Sequence, residues 1–96
     1  MSVIQLVRME AASGKATALL ALLQQGRDST LTVEGCEAFD VYQGRDDPHQ
    51  LLMIERWVSV EAHQVHFEKN VIATGVLDRC MALMTRPPEL AYYRPR

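Results

Sequence analysis

The order of apolar and polar positions divides the chain into six segments. Residues 2–9 are apolar on both parities, with Val3, Val7 and Met9 on one side and Ile4 and Leu6 on the other. That pattern predicts a strand covered on both faces. From residue 15 to about residue 30 the period changes. Ala16, Leu19, Leu20, Leu23 and Arg27 recur at spacings of three and four, predicting an amphipathic helix with Ser13 as its cap. The β-branched cluster at 30–33 weakens the helix end, and Glu34-Gly35 turns the chain.

Two further strands follow, at 36–43 and 50–57, joined through Gly44-Arg45-Asp46-Asp47-Pro48 as an antiparallel hairpin. In the first, Phe39 and Val41 share one face and Ala38, Asp40 and Tyr42 the other. In the second, Leu52 and Ile54 run with Arg56, and Leu51 and Met53 with Glu55 and Trp57, so both faces are expected to be buried. Ser59 caps a short helix with Glu61 in its first turn, and a break is expected near Lys69-Asn70. A helical stripe of Ile72, Val76, Cys80, Leu83 and Met84 then spans 71–84, made irregular by Gly75. Arg86-Pro87-Pro88 stops it ahead of a closing strand at 89–94.

The order β-α-β-β-α-β is the ferredoxin-like α+β arrangement, a four-stranded antiparallel sheet with helices on one face. Two helices cover one face only, yet the first and third strands are apolar on both. A homodimer packed sheet to sheet follows as the expectation, with a cavity between each sheet and its helices.

Length and charge narrow the picture. The 96 residues make one domain, 1–96, whose thin core gains from a second copy. A net charge of −2 without a basic stripe argues against nucleic acid as a partner. The apolar runs fall far short of the roughly 20 residues of a membrane span, and the first residues do not read as a secretory signal. A cytoplasmic address is expected. Cys36 and Cys80 belong to no CxxC pair and read as small buried apolar residues.

The candidate chemistry lies in the middle of the chain. His63 and His66 are one helical turn apart, and His66 falls on the side expected to face the sheet, where an imidazole serves as a general base near neutral pH. The bland alternative is one exposed histidine and one semi-buried, hydrogen-bonded one. Glu55, Glu61 and His49 complete no recognised ligand pattern with them, so no metal is expected. Trp57 and Tyr42, with Phe39 and His63, are candidate walls of a flat aromatic pocket, or else plain core and interface. Arg56 calls for a partner such as Asp40. No phosphate loop or nucleophile motif is present.

Glu34-Gly35-Cys36, the strand from Phe39 to Tyr42, Asp46-Asp47-Pro48, Glu55-Arg56-Trp57, Ser59, Glu61-Ala62 and His66 together resemble the antibiotic biosynthesis monooxygenase domain family over nearly the whole chain. The resemblance implies a dimeric α+β barrel. It implies, for some members, oxidation of a small aromatic or quinol by O2 with no cofactor, His66 acting as base or orienting group and Trp57 and Tyr42 as walls. The haem-degrading branch of the same superfamily uses an Asn, a Trp and a His. Here His66 stands at the Trp position, the His position falls near Val76, and the first strand has no Asn, so that activity is not expected. A non-catalytic ligand-binding dimer or accessory protein, and an isomerase of a small carbonyl compound, are the competing expectations.

Overall fold

A computed structural model describes all residues, Met1–Arg96. Strands β1 (Val3–Glu10), β2 (Cys36–Gln43), β3 (Gln50–Trp57) and β4 (Glu89–Tyr93) form one antiparallel sheet in the order β2-β3-β1-β4. Helix α1 (Ala16–Thr30) follows β1, and α2 (Val60–His66) follows β3. The latter runs into a π-helical segment (Phe67–Ile72) and then α3 (Val76–Met81). The ferredoxin-like α+β fold is therefore present.

Alternation along the strands decides which side meets the helices. Val7 and Met9 of β1 and Leu51 of β3 join Leu19 and Leu23 of α1 and Cys80 of α3 in the buried core. The opposite face carries Ile4 and Leu6, Leu52 and Ile54, Ala38, Ala91 and Tyr93, beyond reach of the chain's own helices.

Several expectations need correction. The α1 stripe runs through Leu19 and Leu23 to Thr30, while Arg27 is exposed. Lys15, not Ser13, occupies the N-cap, without a side-chain cap. Ser59 does cap α2, its Oγ accepting from the Ala62 N–H at 3.1 Å. The stripe expected over 71–84 is cut. The chain widens into the π turn at Lys69-Asn70, Gly75 takes φ +80° to start α3, and Ile72 is exposed. Arg56 meets Glu37 (Nε to Oε1, 3.6 Å) rather than Asp40, because the register of β2 shifts between Cys36 and Ala38, around Glu37.

Gly35, at φ +94°, passes close to α2: a Cβ there would lie 3.0 Å from the Ala62 Cβ and 3.3 Å from a Val58 methyl. Its carbonyl accepts from the Val58 N–H at 2.9 Å, tying the start of β2 to the end of β3. Gly35→Ala is expected to lower stability by roughly 2 kcal/mol or more, combining left-handed strain with overpacking. Gly26→Ala, in α1 with nothing within 4 Å of the added carbon, is expected to raise it by about 0.5–1 kcal/mol. Urea denaturation of both variants against the parent checks the opposite signs.

Candidate functional site

Of the rows of side chains that the sheet presents to the helices, one carries buried polar groups at its centre. That row crosses all four strands in register: Phe39 of β2 pairs Glu55 of β3, which pairs Gln5 of β1, which pairs the partly exposed Tyr92 of β4. Gln5 and Glu55 are each only 4% exposed. Above the row lies a cavity of about 270 Å³ bounded by α1, the π-helical segment and α3, with Leu23, Phe67, Val71 and Leu90 among its apolar walls.

Two histidines close the polar end. Both His63 and His66 are buried, where one exposed residue was the alternative expected. Asn70 donates from Nδ2 to His66 Nδ1 at 3.0 Å, so the imidazole proton sits on Nε2, which faces Thr30 Oγ1 at 3.4 Å. Burial lowers the His66 pKa, and burial with the neighbouring His66 brings His63 down to about 4. Neutral His63 shares a 2.6 Å hydrogen bond between Nδ1 and the Tyr92 hydroxyl. Burial first, and the nearby Glu55 second, raise the Tyr92 pKa.

Glu55 is the most perturbed acid. Burial pushes its carboxyl up to about 7, opposed by one hydrogen bond, from the Trp57 indole Nε1–H to Oε1 at 2.9 Å. Trp57 is 0% exposed and does not line the cavity, which corrects its expected role as a wall. It backs the site instead, its ring 5.4 Å from His63 edge-on and 5.1 Å from His66. Tyr42 is a second correction. Its parity turns it to the opposite sheet face, where it is 50% exposed and outside the cavity. Phe39 and His63 do line the cavity, as does His66.

Sequence reasoning passed over Gln5 and Tyr92, and weighed Glu55 only as a metal ligand. Period-two alternation places Gln5 with Val3, Val7 and Met9, so a lone amide on an apolar parity was the available signal. Its Oε1 is buried and accepts no hydrogen bond. An orphaned acceptor of this kind costs about 1–3 kcal/mol.

These shifts make stability depend on pH in two opposed ways. A Glu55 carboxyl that titrates near 7 rather than 4.5 gives the folded state a stability present at low pH and lost as pH rises through about 7. His63, brought from 6.5 to about 4, gives stability present above 6.5 and lost as pH falls through about 4. Between pH 5 and 8, Glu55→Gln is expected to gain on the parent by about 2 kcal/mol. Chemical denaturation at both pH values measures this, and an unchanged gap would mean that Glu55 titrates normally.

The model of the family described as antibiotic biosynthesis monooxygenase matches residues 2–74. No curated protein matches the chain. Among solved structures, Rv0793 from Mycobacterium tuberculosis is 25% identical, with 100% of this chain and 96% of that one covered and a TM-score of 0.88. A conserved protein from Methanosarcina mazei Go1 is 20% identical over 100% and 94% of the two chains, TM-score 0.90. A proposed antibiotic biosynthesis monooxygenase from Deinococcus radiodurans is 22% identical over 98% and 92%, TM-score 0.87. The last two share the fold. With the family match spanning three quarters of its length, the chain belongs to the antibiotic biosynthesis monooxygenase family.

Proposed function

We propose that this protein is a cytoplasmic, cofactor-independent monooxygenase that oxidises a small aromatic or quinol-type compound with O2. The observation that carries the reading is an apolar cavity with two buried polar side chains, Gln5 and Glu55, on its floor, the acid titrating near neutrality. Such an acid is matched to removing a weakly acidic proton.

In this reading the ring of the substrate lies against Phe39 and Phe67, and Glu55 takes the proton that its free oxygen can reach. His66 is the orienting group. Its Nε2–H exchanges the long contact with Thr30 for a hydrogen bond to the substrate oxygen, stabilising the anion as it forms. The dry walls keep that anion electron-rich, so it passes an electron to O2, and the radical pair joins as a peroxide. Loss of water then leaves a carbonyl. For an activated methylene, one O2 replaces both hydrogens by a carbonyl oxygen and releases one water, with all four electrons supplied by the substrate. A second reading rests on His63, which lines the same cavity as Glu55 and is backed by the Tyr92 hydroxyl, since two titratable groups on one cavity also suit isomerisation of a small carbonyl compound. Oxygen consumption separates the two.

The uncovered sheet face supports the homodimer expected from the strands. Leu6 and Ile54 are cross-strand neighbours at its centre, with Leu52 and Ala91 beside them. Light scattering at micromolar concentration is expected to give twice the 10.8 kDa chain mass, and Ile54→Arg to give the monomer.

Oxygen uptake with anthrones and naphthoquinols should exceed autoxidation. Glu55→Gln should lower the rate by roughly 100-fold or more, and His66→Ala should lower it with ligand binding retained. Since the ionised carboxyl is the active form, kcat/KM should rise with pH through about 7 in the parent and lose that step in Glu55→Gln. Uptake no faster than autoxidation across the panel would exclude the oxygenase.

A further inference from the structure

The polar row also constrains what the cavity admits. Gln5 Oε1 is a buried acceptor without a donor, in register with Glu55 on one side and Tyr92 on the other. Glu55 uses Oε1 for the Trp57 indole, and Oε2 has no partner in the protein. The two orphan oxygens sit on adjacent strands at the floor of one cavity. Gln5 Oε1 needs a hydrogen-bond donor, and so does Glu55 Oε2 once the carboxyl ionises above about pH 7.

The remaining walls supply no compensating charge. No lysine or arginine lines the cavity. The titratable groups around Glu55 are His63 and His66 from α2, Tyr92 from β4, Cys36 from β2 and Cys80 from α3. Burial disfavours the charged form of every one of them. Above about pH 7 a carboxylate ligand would therefore meet the ionised Glu55, a buried amide oxygen and no cation.

We propose that the Gln5–Glu55 cross-strand pair is a hydroxyl-recognition site that admits an uncharged hydroxyaromatic and turns away the corresponding carboxylate. The ligand hydroxyl donates to Gln5 Oε1 and lies beside Glu55 Oε2, while its ring fills the apolar space above. This deepens the reading of the cavity as a small-aromatic site and rests on it. Gln5 acts here as a specificity-determining contact, separate from the removal of the proton.

The test compares three probes sharing one ring, namely 1-naphthol, naphthalene and 1-naphthoate. Calorimetric titration is run near pH 8, where a phenol is un-ionised and a carboxylic acid is ionised. In the parent, 1-naphthol should bind tightest and 1-naphthoate about tenfold or more weaker. Gln5→Met should weaken 1-naphthol by about tenfold and leave naphthalene unchanged or improved. Glu55→Gln should bring 1-naphthoate to within a few-fold of 1-naphthol. Equal binding of naphthol and naphthoate by the parent would overturn the proposal, as would equal losses of naphthol and naphthalene in Gln5→Met. Should Gln5→Met fail to fold by circular dichroism, the naphthoate response of Glu55→Gln decides alone. Naphthalene bound without preference for naphthol sinks the hydroxyl site and leaves the aromatic cavity standing. Preference for naphthol without oxygen uptake sinks the oxygenase and leaves the hydroxyl site. Failure of all three to bind removes both.

Discussion

The hydrogen bond from the Trp57 indole to the Glu55 carboxyl is the constraint around which the site is arranged. A buried carboxyl with one donor is under-satisfied, so it holds its proton into the neutral range. Glu55 and Trp57 share a strand face, and the indole can reach back only because both point at the helices. The same indole presents its faces and edge to His63 and His66, which locks two imidazoles that have little room to turn. Burial thus sets the charge state of the acid with the indole bond working against it, and the same indole seats both imidazoles.

The rest of the sheet is conventional in a way that isolates this row. Its buried polar members, Gln5 and Glu55, stand among apolar neighbours and bond residues outside the row or remain short of partners. Tyr92 finds His63, and His66 finds Asn70. Gln5 finds nothing. A core arranged for stability alone would carry a leucine or methionine at that position, because orphaned polar atoms favour the unfolded chain. The fold tolerates the deficit at the one place where a ligand can remove it.

Most of the architecture was legible from periodicity. The limits of β2 and β3 follow from where alternation begins and the Gly-Arg-Asp-Asp-Pro turn interrupts it, and the dual apolar parity of β1 and β3 marks the uncovered face. What alternation does not carry is depth or neighbourhood. It puts Tyr42 correctly opposite Phe39 but cannot say which of the two faces meets the helices. It sorts Trp57 to the inner face without showing that Glu55 and the histidines stand between it and the cavity. Register is the missing variable, since Gln5 and Tyr92 gain meaning only once they are seen beside Glu55. Arg56 illustrates the same point, because one residue of slippage at Glu37 changes its partner.

The widened turn at Phe67–Ile72 bears on how the cavity keeps a continuous wall. Its signature bond runs from the Ala73 N–H back five residues to the Glu68 carbonyl, at 3.0 Å. Phe67 and Val71 face inward before it, and Val76, Leu77, Cys80 and Met81 face inward after it. A regular helix would repeat the inward positions near residues 74 and 75, where the chain instead has Thr74 and Gly75. The π turn and the left-handed Gly75 act together as a phase adjuster, rewinding the chain until its second half again faces the sheet. Since each residue advances a helix by about 100°, this stretch is counted as well as composed. Shortening it by a single residue would keep every side-chain type and still rotate the far wall of the cavity away from its floor.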